Sequence, residues 1–475
     1  MGEPRNVVVI MSDQHNPKLA GFAGHPLVRT PNMDRLAARG TTFRRAYTPC
    51  PICVPARASF ATGHWVHDIG YWDNAIAYDG RVKGWGHALQ AAGIDVVSIG
   101  KLHYRAAEDP TGFDEQILPM HIADGIGQVW GMVRDPLPQR EGGERMARAA
   151  GAGFSKYNKY DLAIAEKAEQ WLEARARSKK PFVLYIGLVA PHFPYIVPEK
   201  WFDIYAHAEL PRAVAHPDDG FKPHPWVERF MGVSPGIDKN TDEERRRCTA
   251  AYYGLVSFLD DNIGRVLNVL ERTGLAGETT VVYTSDHGDM VGKRGQWGKS
   301  QAYEDTAGIP MIVAGPGIPE GKRSQTTVGL VDLSQGILDA AGLPALEGRP
   351  GRSLVSLARE PDSPDRIGFS EYHAYGAISA WYMVRRGRMK YVEYVGFEPE
   401  LFDLEADPDE IVNLAADPAH APTRAALAAE LRRILDPETV DAEAKGDQRR
   451  MIERFGGIDA ALRMGTPSAT PTPFG

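Results

Sequence analysis

The sequence predicts an α/β fold: a large, mostly parallel central sheet flanked by helices, with a smaller C-terminal α+β subdomain. Three observations predict it. Short β-branched runs at residues 6–13, 95–101, 181–192, 279–286 and 309–314 each end at or beside polar residues. Between them lie segments of helical period: 162–174 carries Ile164, Ala168, Trp171 and Leu172, and 252–270 carries Leu255, Val256, Leu259, Ile263, Val266 and Leu267. Such alternation is the pattern of parallel strands joined by crossover helices packed on the sheet. After Pro350 the pattern changes: 381–384 and 389–395 read as two strands joined through Arg386-Gly387-Arg388, and 423–435 as a helix. An α/β domain over residues 1–365 and an α+β subdomain over 366–475 are therefore expected.

Taken in order, the run Val7 to Met11 is followed at once by Ser12, Asp13, Gln14 and His15. It is far shorter than the ~20 apolar residues of a membrane span, so it reads as a buried strand and no membrane association is expected. Residues 109–153 and 207–239 are rich in Gly, Pro and charge, which predicts long excursions near strand ends, where α/β proteins build pockets. The stretch 466–475 holds three prolines and cannot continue a helix. It is expected to be loose or docked on a partner subunit, and a homo-oligomer is expected.

Composition narrows the function. In 475 residues, 43% apolar and 24% charged side chains exclude a disordered chain and supply a core without staples. Lys+Arg 54 against Asp+Glu 62 gives a net charge of −8, so no basic field exists to gather nucleic acid. An anionic small molecule would have to be held by a few local cations. Cys50, Cys53 and Cys248 cannot form a disulfide framework, and no basic segment followed by an apolar signal core is seen near the N-terminus, which predicts a cytoplasmic protein.

The chemistry concentrates around Cys53-Val54-Pro55-Ala56-Arg57, followed after four residues by Thr62-Gly63. Pro55 is of a type favoured in a first helical turn, so Cys53 is placed where helix N–H groups favour negative charge. This segment resembles the formylglycine signature of the type I sulfatases, a family of the alkaline-phosphatase-like superfamily. The resemblance extends in order over residues 5 to 435, through Asp13-Gln14, Gly100-Lys101-Leu102-His103, Pro191-His192-Phe193-Pro194-Tyr195, Asp286-His287-Gly288-Asp289 and Gly298-Lys299. It implies that a separate maturation enzyme oxidises Cys53 to formylglycine.

Asp13, Gln14, Asp286 and His287, together with the group at Cys53, offer mostly oxygen ligands and one imidazole. That set suits a hard divalent cation, calcium first, with manganese the alternative. Many arylsulfatases have two adjacent acids after the first strand and Asp-Asn on the later one. The Asp-Gln and Asp-His pairs here resemble instead the choline-sulfatase and phosphonate monoester hydrolase branches.

By the same resemblance, the hydrated aldehyde at position 53 offers two hydroxyls, one to attack sulfur and one to expel sulfate as the aldehyde re-forms. Arg57, four residues on and on the same helical face, would orient them. Lys101, His103, His192 and Lys299 would surround the sulfate, with a protonated His192 or Lys299 donating to the leaving alcohol and His103 deprotonating the second hydroxyl. Asn74 resembles a substrate-oxygen contact. Trp65, Tyr71, Trp72, Trp85 and Trp130 lie in segments that could wall the pocket, although packing suits most of them. The resulting expectation is hydrolysis of a small aryl or alkyl sulfate monoester. A phosphonate monoester hydrolase or phosphodiesterase using the same residues is the alternative, and a binding protein with unconverted Cys53 is a third reading.

Overall fold

The computed structural model describes residues 5–139, 145–234, 239–464 and 470–474. Its strands are β1 (Asn6–Asp13), β2 (Gly40–Tyr47), β3 (Asp95–Lys101), β4 (Glu115–Met120), β5 (Gly151–Ala152), β6 (Phe182–Pro191), β7 (Ile196–Val197), β8 (Thr279–Ser285), β9 (Met311–Ala314), β10 (Lys322–Gly329), β11 (Gly368–Tyr372), β12 (Trp381–Arg386), β13 (Met389–Tyr394) and β14 (Glu400–Asp403). Eight of these form the main sheet in the order β10-β2-β9-β8-β1-β6-β3-β4. All run the same way except β9, which is antiparallel to both of its neighbours.

Strand β1 is apolar from Val7 to Met11 because both faces of the sheet are covered. Val8 and Ile10 join the core beneath the helices Lys156–Arg175 and Asp242–Arg272. Val7, Val9 and Met11 point the other way, into a core shared with Ala56, Phe60, Leu333 and Ile337 of the helices Cys53–Thr62 and Leu330–Ala340. Each such side chain contributes about 1.5–3 kcal/mol on burial. No described helix is long and apolar enough to cross a membrane.

The expected strands all form, with bounds differing by a residue or two; the 309–314 run pairs only from Met311. Strands β2, β4 and β10 were not legible. β4 and β10 lie at the two sheet edges, where charged residues are tolerated and blur the apolar signature. β2, Gly40–Tyr47, carries Arg44 and Arg45.

The C-terminal antiparallel sheet β11-β12-β13-β14 packs with the helix Ala421–Ile434 around Trp381, Tyr391, Phe402 and Leu427. A buried ion cluster joins it to the main sheet. Lys390 on β13 is fully buried, with Nζ 3.0 Å from Glu304 and 2.8 Å from Glu410. Lys390→Met leaves both carboxylates without their shared cation and is expected to cost about 3–5 kcal/mol, measurable as a lowered urea midpoint.

The tail expectation is corrected. Over residues 470–474 the chain lies against its own main domain: the Tyr157 hydroxyl donates to the Thr470 carbonyl at 2.9 Å, and Phe474 packs edge-on against Tyr160 with ring centroids 6.0 Å apart.

Candidate active site

Four neighbouring parallel strands, β8-β1-β6-β3, end at one edge of the sheet, and each delivers a polar group there. β1 ends in Asp13, followed by Gln14, and β8 is followed by Asp286 and His287; β3 ends in Lys101, followed two residues later by His103, and β6 is followed by His192. The helix Cys53–Thr62 brings Cys53 to the same point as its first residue. Pro55 is thus the third helical residue, a position whose N–H would have had no partner within the helix. The N-cap residue Ile52 has no capping side chain; Asn74 instead accepts from the Val54 N–H through Oδ1 at 3.1 Å.

Side chains of Asp13, Cys53, Asp286 and His287, all buried, place one potential ligand atom each within 4.8 Å of one another. The Cys53 sulfur lies 2.9 Å from Lys299 Nζ, 3.3 Å from His287 Nε2 and 3.6 Å from Asp13 Oδ1. His287 Nδ1–H donates to the Gly288 carbonyl at 3.0 Å, so its Nε2 lone pair faces this cluster. Burial above all pushes the His287 pKa down to about 4, keeping a neutral imidazole.

Gln14 adopts a left-handed backbone, φ 69°, and its N–H donates to Asp286 Oδ1 at 3.1 Å. The Gln14 Nε2 donates to Asp289 Oδ2 at 2.5 Å, while Oε1 is buried and has no hydrogen-bond partner. An orphaned amide oxygen beside two carboxylates and an imidazole lone pair is the donor set of a divalent cation site, and the residues fit a hard metal ion. Asp289, whose role was not apparent from sequence, holds the Gln14 amide nitrogen and leaves Oε1 as the unpartnered end. The Tyr195 hydroxyl also donates to Asp289, at 2.5 Å.

Arg57, one helical turn on from Cys53, is buried. Its Nε donates to Asp286 Oδ2 at 2.8 Å and Nη2 to Asp13 Oδ2 at 3.2 Å, while Nη1 donates to the Lys101 carbonyl and the Tyr185 hydroxyl. It clamps the two carboxylates. Lys101 Nζ adds an ion pair to Asp13 Oδ2 at 2.6 Å. Burial opposes ionisation of Asp13, yet Lys101, Lys299 and Arg57 together hold its carboxyl well below the usual range.

His192 lines the same cleft as Lys299. Its Nδ1–H donates to the Phe193 carbonyl at 2.6 Å, and burial followed by Lys299 holds its pKa well below the ordinary value. Lys299 Nζ stands 3.2 Å from His287 Nε2. Its loop is pinned at Ser300, whose N–H donates to the Pro51 carbonyl at 3.1 Å and whose carbonyl accepts from Trp381 Nε1 at 3.2 Å. The C-terminal sheet thereby helps to position Lys299.

Above these groups opens a cleft lined by Cys53, Asn74, Lys101, His103, His192 and Lys299 and walled by Trp130, Met146, Phe193, Phe230, Trp297 and Tyr375. Of the five aromatic residues considered from sequence, only Trp130 lines it. Tyr71 and Trp85 pack in the main core, Trp72 joins the core beneath the C-terminal sheet, and Trp65 packs beside that core. The excursions at 109–153 and 207–239 supply much of this wall, as expected; residues 140–144 and 235–238 within them lie outside the described residues.

The sulfatase family model matches residues 5–343, and a model of the C-terminal region of N-sulphoglucosamine sulphohydrolase matches residues 292–436. The chain belongs to the sulfatase family. It is a sulfuric ester hydrolase with an alkaline-phosphatase-like fold. Among its relatives, choline-sulfatase of Rhizobium meliloti is 33% identical over 473 residues, covering 94% of this chain and 90% of that one. Arylsulfatase K of Rattus norvegicus is 30% identical over 443 residues, covering 87% and 75%. The structure of phosphonate monoester hydrolase of Agrobacterium radiobacter superposes on this sulfatase with a TM-score of 0.75 at 23% identity, covering 93% and 96%, and so shares the fold.

Proposed function

We propose that this sulfatase hydrolyses the sulfate monoester of a small phenol or alcohol, with Cys53 in its formylglycine form and one divalent cation held by Asp13, Gln14, Asp286, His287 and the group at position 53. The observation that carries the proposal is the Cys53 side chain set among two carboxylates, an imidazole lone pair and an ammonium group. Bound there, the cation and the hydrated aldehyde would supply charge neutralisation and a hydroxyl nucleophile. Two carboxylates and an amide oxygen favour calcium, while the imidazole keeps manganese in competition.

The chain's own residues do the rest. Lys101 and Lys299 offset the sulfate charge, and Lys299 Nζ donates to the departing oxygen. Asn74, with Oδ1 committed to Val54, offers its Nδ2 to a sulfuryl oxygen. His103 accepts the proton released when sulfate leaves. Arg57 keeps the two metal-binding carboxylates in register, and the aromatic walls exclude water from an aryl or alkyl group.

The test is an assay of protein co-expressed with a formylglycine-generating enzyme, on a sulfate monoester, a phosphonate monoester and a phosphodiester sharing one aryl leaving group. Each is measured with calcium and with manganese. Dominant sulfate turnover is expected; dominant phosphonate or diester turnover would assign the same residues to phosphorus chemistry.

A further inference from the structure

We infer that Thr470, in the C-terminal segment, is a positioning residue for His103: its hydroxyl oxygen accepts the Nε2–H and so fixes the tautomer whose Nδ1 is unprotonated. What Nδ1 does rests on the proposed mechanism; the contact itself rests on geometry.

His103 follows β3 in a left-handed conformation, φ 59°, and is 6% exposed. Its Nε2 lies 2.8 Å from Thr470 Oγ1, while its Nδ1 is buried without a hydrogen-bond partner. Thr470 itself lines the cleft alongside Cys53, Lys101 and Lys299. The segment is seated along the helix Lys156–Arg175 at more than one point. Tyr157 donates to the Thr470 carbonyl, Thr472 is 6% exposed, Phe474 packs on Tyr160, and Lys159 Nζ stands 5.6 Å from the centre of the Phe474 ring. Pro471 and Pro473 fix φ on either side of Thr472, which reduces the freedom lost in docking.

The imidazole is neutral: burial, then Lys101 and Arg57, disfavour a second proton on the ring. A neutral ring carries its single proton on one nitrogen, and a hydroxyl accommodates either choice. The surroundings decide. Lys101, Arg57 and Lys299 act on the ring with more positive charge than Asp13 offsets, so a lone pair rather than an N–H is favoured at the nitrogen that has no partner. The proton then sits on Nε2 and is donated to Thr470 Oγ1. Nδ1 remains free to accept a proton, and the ring is held against rotation, as a hydrogen-bonded partner holds a catalytic histidine elsewhere.

Two measurements on the full-length protein test this. In the sulfate assay, Thr470→Val is expected to lower kcat about 10–100-fold with KM within about threefold, and Thr470→Ser, which keeps the hydroxyl, to restore most of kcat. In protein labelled with ¹⁵N-histidine, His103, assigned by the loss of its signals in His103→Gln, is expected as the Nε2–H tautomer. Thr470→Val is expected to shift it toward a mixture. A wild-type kcat in Thr470→Val, equal losses in the valine and serine variants, or an Nδ1–H tautomer in the wild type would overturn the assignment. An inactive wild type with the expected tautomer and the expected response to Thr470→Val would refute the sulfatase mechanism and still support the Thr470 contact.

Discussion

Cys53→Ala is expected to abolish sulfate-ester turnover, with a loss on the order of 10⁶-fold as when a nucleophile is removed elsewhere, and to leave the fold intact. The two halves of this result have separate causes. Cys53 opens its helix with no side chain of its own spent on capping, and alanine is the strongest helix former, so the backbone has no reason to change. The side chain is nonetheless the point where Lys299, His287 and Asp13 converge, within 2.9 to 3.6 Å of the sulfur. Removing it leaves the cations and the metal ligands with nothing to deliver to the substrate. Cys53→Ser restores a single hydroxyl only and is not expected to rescue turnover. Steady-state rates together with thermal melts read both halves. The mass of the wild-type peptide containing Cys53 supplies the control, showing an aldehyde or an intact thiol. Undiminished activity in Cys53→Ala would sink the mechanism.

What could be read from the sequence divides along physical lines. Strands buried on both faces, such as β1 with its uninterrupted run Val7 to Met11, announce themselves by composition. Edge strands do not: β10, Lys322–Gly329, begins Lys-Arg-Ser-Gln and carries its apolar signal in one valine. Strand direction is not encoded in periodicity at all, so the 309–314 run was legible as a strand but its antiparallel direction was not. In the site, contiguous motifs placed Asp13, Gln14, Cys53, Lys101, His103, Asp286, His287 and Lys299 around one point, because strand ends convert short motifs into neighbours. Contacts from residues outside those motifs were out of reach. Thr470 meets His103 across 367 positions, and Trp381 steadies the Lys299 loop from another sheet. Spacing alone also left the partners of Arg57 unread. One helical turn from Cys53 suggested a contact with that residue, and a buried guanidinium takes the strongest acceptors in reach, which are the carboxylates of Asp13 and Asp286.

Asp13→Asn is expected to remove the bound cation and to lower kcat/KM by about 10³-fold, the several kcal/mol that a metal contributes to a developing anion. Asp13 carries more of the site's charge balance than any other ligand. One oxygen takes Lys101 at 2.6 Å and Arg57 at 3.2 Å, and the other faces Cys53 and His287 at 3.6 and 3.8 Å. An asparagine keeps the shape, forfeits the charge, and replaces one acceptor by a donor aimed at either a cation or the metal. Metal content per chain is expected to fall from about one in the wild type to near zero. Added calcium or manganese is expected to raise the wild-type melting temperature through binding to the folded state, by up to about 2.7 kcal/mol of linkage at a hundred times Kd, and to leave the variant unchanged. Gln14→Leu separates the metal from the ion pairs. It deletes the unpartnered Oε1 while Lys101 and Arg57 keep Asp13, so its apo form is expected to melt nearer the wild type while its stabilisation by metal is diminished. An Asp13→Asn protein that still bound one ion and gained the same stability from it would show that the cation sits elsewhere than between β1 and β8.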